Sequence, residues 1–114
     1  MKFHVLMKGL YMGMLADIFS NVPVAFADEL VAKITRQFPP ASEAQLEKKG
    51  AQRRLEGIVE HVMKDIDAFQ NKNKLGWIGK ARFGNAVRWR LIEKGYSKQF
   101  SEAITEGVVR QIAA

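Results

Sequence analysis

The chain has 114 residues, which suits one domain with its own hydrophobic core and is too short for two independent domains. Hydrophobic residues make up 47% and charged residues 26%, a composition typical of folded proteins that excludes a disordered chain. Cysteine is absent, which excludes disulfides, cysteine-ligated zinc, iron–sulfur clusters and thiol nucleophiles. We therefore expect a single folded domain over residues 1–114.

The net charge of +6 is concentrated in the C-terminal third of the chain. Residues 1–40 sum to +1, residues 41–72 to zero and residues 73–114 to +5. A surplus of this kind attracts nucleic acid, an anionic membrane surface or an acidic protein. It also keeps a protein in solution without any binding role, and the sequence leaves both interpretations open.

The N-terminal residues 1–27 allow two interpretations. A lysine-containing start and the small-x-small triplet at residues 25–27 are typical of a secretory signal. Asp17 and Pro23, however, interrupt the continuous apolar core that such a signal needs. We favour a helix over about residues 4–20 in a cytoplasmic protein, and the sequence has no 18-residue uncharged run that would span a membrane.

Prolines and a capping motif after this segment predict the limits of further helices. Pro23 suits the first turn of a second helix, which Pro39 and Pro40 end. Ser42 with Gln45 three residues later forms a capping box, which predicts the start of a third helix.

The rest of the chain continues with helical spacing of apolar residues. The third helix has the most regular apolar stripe, and Gly50 predicts a kink or break in it. Gly95 suits the left-handed end of a fourth helix, and Ser97 suits the N-cap of a fifth. The predicted fold is an all-α bundle of four to five helices, over about residues 4–20, 23–38, 43–70 (broken near 50), 75–94 and 98–112.

Catalysis has little support in the sequence. His4 and His61 are the only histidines, and neither belongs to a two-histidine metal motif or a Glu-x-x-His pair. A glycine-rich phosphate loop would follow a strand, and no strand is predicted. We expect a protein that is not an enzyme and has no cofactor and no metal.

The segment Lys72–Lys98 contains eight lysines and arginines, one acid and both tryptophans. On a helical wheel Phe83, Val87 and Leu91 form one apolar row, and Trp89 belongs to a second. Trp77 and Trp89 could stack on nucleic-acid bases, but buried tryptophan is commoner in a small helical core, so we expect both in the core. The predicted anion or nucleic-acid contacts are Lys72, Lys74, Lys80, Arg82, Arg88, Arg90, Lys94 and Lys98.

One face of this fourth helix is predicted to be a narrow basic strip, in which small residues alternate with arginines. Its members are Gly79, Arg82, Ala86, Arg90 and Glu93. The small residues would let either a phosphate backbone or another helix approach closely. In a helix-turn-helix motif, the recognition helix follows a short turn. Here the better turn, at residues 95–97, comes after the basic helix, which disfavours a standard major-groove reader.

The run RWRLIEKGYSKQFSEAI, residues 88–104, resembles the helix–glycine–helix joints in the repeated units of RecX-type recombination regulators. The resemblance implies binding to recombinase filaments on DNA. It covers 17 residues and has no counterpart in residues 1–40, so no family is assigned from it.

We expect a small binding or regulatory protein that contacts nucleic-acid phosphates through residues 72–98. The alternative is a protein–protein adaptor or regulatory subunit, which has an acidic partner or forms a homodimer through the small residues of the first helix. Membrane association through that first helix ranks third.

Overall fold

The computed structural model describes residues 19–114, in which the chain forms four α-helices, one 3-10 helix and no strand. The elements are α1 (Val22–Gln37), the 3-10 helix Pro40–Gln45, α2 (Lys49–Lys72), α3 (Trp77–Lys94) and α4 (Lys98–Ala113). The predicted all-α bundle of four to five helices is confirmed. The helix predicted over residues 4–20 lies outside the described range apart from its last two residues. The dimer and membrane hypotheses based on that helix, and the single domain over residues 1–114, stay predictions.

Proline residues set both ends of α1, as predicted. Pro23 lies in the first turn, where its missing N–H leaves no hydrogen bond unmade. The helix ends at Gln37, and the N–H of Phe38 still donates to the carbonyl of Ile34 at 2.8 Å. The buried side of α1 consists of Pro23, Phe26, Ala27, Leu30, Val31 and Ile34.

The predicted start of the third helix was wrong. Ser42 does not cap an α-helix but lies inside the 3-10 helix Pro40–Gln45, and α2 begins only at Lys49. Glu43 accepts a hydrogen bond from the N–H of Ser97 at 2.8 Å, so this segment is held by the turn between α3 and α4. The break predicted near residue 50 therefore precedes α2, and the long helix is continuous from Lys49 to Lys72.

The helices follow one another around the bundle in the order α1, α3, α4, α2. The most extensive packing joins α1 to α3 and α3 to α4, whereas α1 and α2 touch at few positions. Lys33 of α1 bridges to Asp65 of α2 at 2.6 Å, and Gln70 of α2 donates to the carbonyl of Ile112 at the end of α4. Helix α3 thus lies between two neighbours, diagonally across the bundle from α2.

Aromatic rings link the helices at both ends of the core. Phe26 stacks on Phe69 with ring centroids 3.9 Å apart and on Phe83 at 5.3 Å. At the other end Phe100 stacks on Tyr96 at 4.7 Å and on Phe38 at 5.9 Å. These stacks bury large apolar surfaces and fix how the helices are set against one another.

The predicted turn between α3 and α4 is confirmed. Gly95 ends α3 with a φ of 107°, a left-handed conformation that glycine adopts without strain. The Ser97 side chain accepts a hydrogen bond from the N–H of Phe100 at 3.0 Å and caps α4. Each helix between residues 19 and 114 is too short or too polar to span a bilayer.

Helices α3 and α4 approach closely at Gly84. A Cβ atom at this position would lie 2.6 Å from Cγ2 of Val109. We expect Gly84→Ala to lower the free energy of unfolding by about 1–3 kcal/mol, because the added methyl group overpacks the contact. Val109→Ala should restore most of that loss, and urea unfolding of the single and double variants measures both effects.

Gly57 provides the matched control, because a Cβ atom there would meet nothing within 4 Å. Gly57→Ala should raise the free energy of unfolding by roughly 0.5–1 kcal/mol through helix propensity alone. A Gly84→Ala variant that gains stability in the same way would contradict the close approach of α3 and α4.

Ionisation of Tyr96 should lower the stability of the fold at alkaline pH. Its hydroxyl donates to the buried carbonyl of Phe38, and burial raises the pKa of the phenol above its ordinary value of 10.0. The neutral phenol therefore stabilises the fold fully below about pH 10, and this contribution is lost as the pH rises through the folded-state pKa.

Tyr96→Phe should lower the free energy of unfolding by about 1–3 kcal/mol at neutral pH, because it leaves the carbonyl of Phe38 unpaired. Above pH 10 the variant should lose stability less steeply than the native protein in urea unfolding. Parallel pH profiles would contradict the role of Tyr96.

Candidate nucleic-acid interface

The side of α3 that faces away from the bundle has a row of five exposed residues, four positions apart. This outer row consists of Trp77, Ala81, Asn85, Trp89 and Glu93. It faces outward because Phe83, Val87 and Leu91, on the opposite side of the helix, are fully buried. Four residues turn the helix by about 400°, so the row winds obliquely across the outer surface.

Both tryptophans belong to this row, and the prediction that they lie in the core was wrong. Trp77 is 72% exposed and Trp89 is 49% exposed. Among the helices of residues 19–114, α3 has extensive contacts only with α1 and α4, so no third described helix packs against its second apolar row. The two indoles start about 18 Å apart along the helix axis, at 1.5 Å per residue.

The basic strip predicted on α3 is mostly covered, and of its members only Glu93 is exposed. Gly79 is buried, and Ala86 is half-buried against the core. The arginines of the strip bond to α1 and to the chain just before it.

Arg90 ties α3 to α1, and Arg82 ties it to Ser20, which lies just before α1. Nη1 of Arg82 donates to the carbonyl of Ser20 at 2.7 Å, and Nε of Arg90 donates to Oδ1 of Asp28 at 2.7 Å. Nη1 of Arg90 also lies 3.4 Å from Oε1 of Glu93. The hydrogen bond to Asp28 and the charges of both carboxylates raise the pKa of Arg90. Protein groups therefore already hold both guanidinium groups.

Arg88 lies on the opposite flank of the outer row, towards α4. Its Nη2 is 3.4 Å from Oε1 of Glu102, and its guanidinium carbon lies 5.0 Å from the ring centroid of Trp89. The long, solvent-accessible ion pair contributes little energy. The cation over the ring keeps a positive charge beside the exposed indole.

The five lysines of the predicted site fall into two groups. Lys72, Lys74 and Lys80 lie around the start of α3, and Lys94 and Lys98 lie on either side of the turn after it. Lys80 of the first group and Lys94 of the second are 14 residues apart on α3, which is about 21 Å along the helix axis. None of these lysines forms an ion pair with another described residue. The eight predicted contact residues thus extend along α3 instead of meeting in one patch, and their contact with nucleic acid stays a prediction.

A shallow open depression of about 350 Å³ lies beside Trp89. It is lined by Val24, Arg82, Asn85, Ala86, Trp89, Arg90 and Glu93. An indole, an amide and two guanidinium groups thus surround one recess at the contact of α1 with α3. Such a lining offers both a flat apolar surface and hydrogen-bonding groups to a planar ligand.

Sequence reasoning missed the outer row and the role of Asp28. The spacing of twelve residues between Trp77 and Trp89 was a usable signal, because residues at multiples of four form a ridge on a helix. It was hidden because Trp89 also fits an apolar row with Ile92. Nothing in the sequence pairs Asp28 with Arg90, since the contact depends on how α1 packs on α3.

No group of three histidine or acidic side chains able to hold a metal ion occurs within residues 19–114. Comparison with known protein families, curated proteins and solved structures found no match to this chain.

The exposure and the positive surroundings of the two indoles can be tested by quenching of their fluorescence. We expect iodide to quench more strongly than caesium, each measured relative to free N-acetyltryptophanamide, because nearby cations concentrate the anion. The difference should shrink as sodium chloride is added. Trp77→Phe and Trp89→Phe should each leave a quenchable tryptophan. Equal quenching by the two ions would contradict a positive surface around the outer row.

Proposed function

We propose that this protein is a non-catalytic, cytoplasmic binding protein that contacts nucleic acid through the outer row of α3 and the cations beside it. The observation that supports this best is the pair of exposed tryptophans on a helix that is flanked by lysines and arginines. Aromatic rings between cationic side chains are the usual means of binding bases and phosphates together.

The lysines carry the electrostatic part of the proposal. Lys74 and Lys80 lie on either side of Trp77 in the sequence, and neither forms an ion pair with another described residue. Their charges are thus available to phosphates, and each phosphate that they bind would release counterions. The affinity should therefore fall steeply with salt.

A gel-shift experiment with random-sequence DNA and RNA tests the proposed function. We expect a shift at about 50 mM salt that is largely abolished at about 200 mM. Lys74→Gln and Lys80→Gln should each weaken binding and reduce the salt slope by about one for every phosphate that the variant no longer binds. Lys64→Gln, which removes the same charge from the exposed surface of α2, is the matched control. A folded protein that shifts neither nucleic acid would refute the proposal.

A second prediction concerns Asp28, whose carboxylate forms an ion pair with Arg90. Asp28→Asn should raise the affinity for nucleic acid by about twofold to tenfold, since it replaces the ion pair of Arg90 with a weaker neutral hydrogen bond and removes a negative charge near the phosphates. Glu106→Gln breaks the Arg110–Glu106 pair on α4 and changes the net charge equally, so it is the control. Equal gains in both variants would show that only the net charge matters.

An acidic protein partner is the second candidate function. Tryptophan and arginine are the residue types most enriched at energetic centres of protein interfaces. Arg88 and Arg90 already bind carboxylates on this surface. A pull-down that recovers no protein would count against this candidate, and sizing in solution tests a homodimer.

A further inference from the structure

We infer that the ligand of the outer row is single-stranded nucleic acid, whose bases stack on Trp77 and Trp89. This inference rests on the proposed function and narrows it to one class of substrate. It depends on the exposure of the two indoles and on the distribution of charge around them.

The indoles favour unpaired bases. Trp77 is 72% and Trp89 49% exposed, so each presents flat apolar surface to the solvent. The bases of a duplex are already stacked on one another, whereas those of a single strand are free to stack on an aromatic ring. The depression of about 350 Å³ beside Trp89 provides room for a planar base next to that ring.

The charges also favour a single strand. A duplex carries one phosphate charge per about 1.7 Å of its axis, and a single strand stacked at duplex spacing carries one per about 3.4 Å. The three arginines of α3 already hold protein groups, and Asp28 and Glu93 place carboxylates beside Arg90. A ligand of lower charge density meets less repulsion from these acids and needs fewer cations.

The spacing of the indoles sets a minimum length for the ligand. They start about 18 Å apart, which corresponds to about five nucleotides at 3.4 Å each. The oblique course of the row lets a flexible strand cross α3 from one indole to the other. A strand of three nucleotides reaches one indole only, so the affinity should rise sharply between three and about eight nucleotides.

The chain contains only two tryptophans, so their fluorescence reports directly on the site. Titration with a 12-nucleotide oligothymidylate, a 12-nucleotide oligouridylate and a 12-base-pair DNA duplex, at low salt, compares the substrate classes. We expect both single strands to quench the emission and to bind more tightly than the duplex. Trp77→Phe and Trp89→Phe should each retain part of the quenching, which assigns it to both indoles.

Removing one stacking ring should weaken single-strand binding without changing its salt dependence. Trp77→Leu and Trp89→Leu should each lower the affinity about 5- to 150-fold, whereas the corresponding phenylalanine variants should recover most of it. The slope against salt should stay the same because the lysines and arginines still bind the same phosphates. Gly57→Ala, on α2 diagonally across the bundle from α3, is the control and should leave the affinity unchanged.

The outcomes separate this inference from the proposed function. Equal or tighter binding of the duplex, or single-strand binding that is indifferent to both leucine variants, would overturn the inference and leave the proposed function standing. Failure of all three ligands to bind folded protein would overturn both. Circular dichroism of each variant establishes that it is folded.

Discussion

The burial of one row of side chains on α3 determines the rest of the arrangement. Phe83, Val87 and Leu91 have no exposed surface, and they fix the rotation of α3 about its own axis. With α1 on one side and α4 on the other, one side of the helix is left uncovered by the helices of residues 19–114. The outer row with its two tryptophans occupies that side, and a rotation of even one residue position would bury an indole and expose core residues.

Much of the fold could be predicted from local sequence. Prolines marked the limits of α1, and Gly95 with Ser97 marked the turn between α3 and α4, because these residues act through their own backbone conformation and hydrogen bonds. Ser42 failed as a signal because a non-local contact took precedence. The segment around it is held by the hydrogen bond from Ser97 to Glu43, which joins residues 54 positions apart.

The candidate site was predictable only in part. The basic character of residues 72–98 is a matter of composition and was visible at once. Which of its cations hold protein partners was not visible, because the contacts of Arg82 with Ser20 and of Arg90 with Asp28 each join residues 62 positions apart. The exposure of the tryptophans was missed for the same kind of reason. A helical wheel gives the order of rows around a helix, but the number of neighbouring helices decides which rows are covered.

The contact of Arg90 with Asp28 links the surface of α3 to the attachment of α1. Arg90 bonds to Asp28 of α1 through Nε, and its Nη1 lies near Glu93 of α3. An anion that displaced Asp28 from this side chain would break a link that fastens α1 to its neighbour. The same guanidinium group thus adds positive charge to the surface of α3 and helps to hold α1 in the bundle.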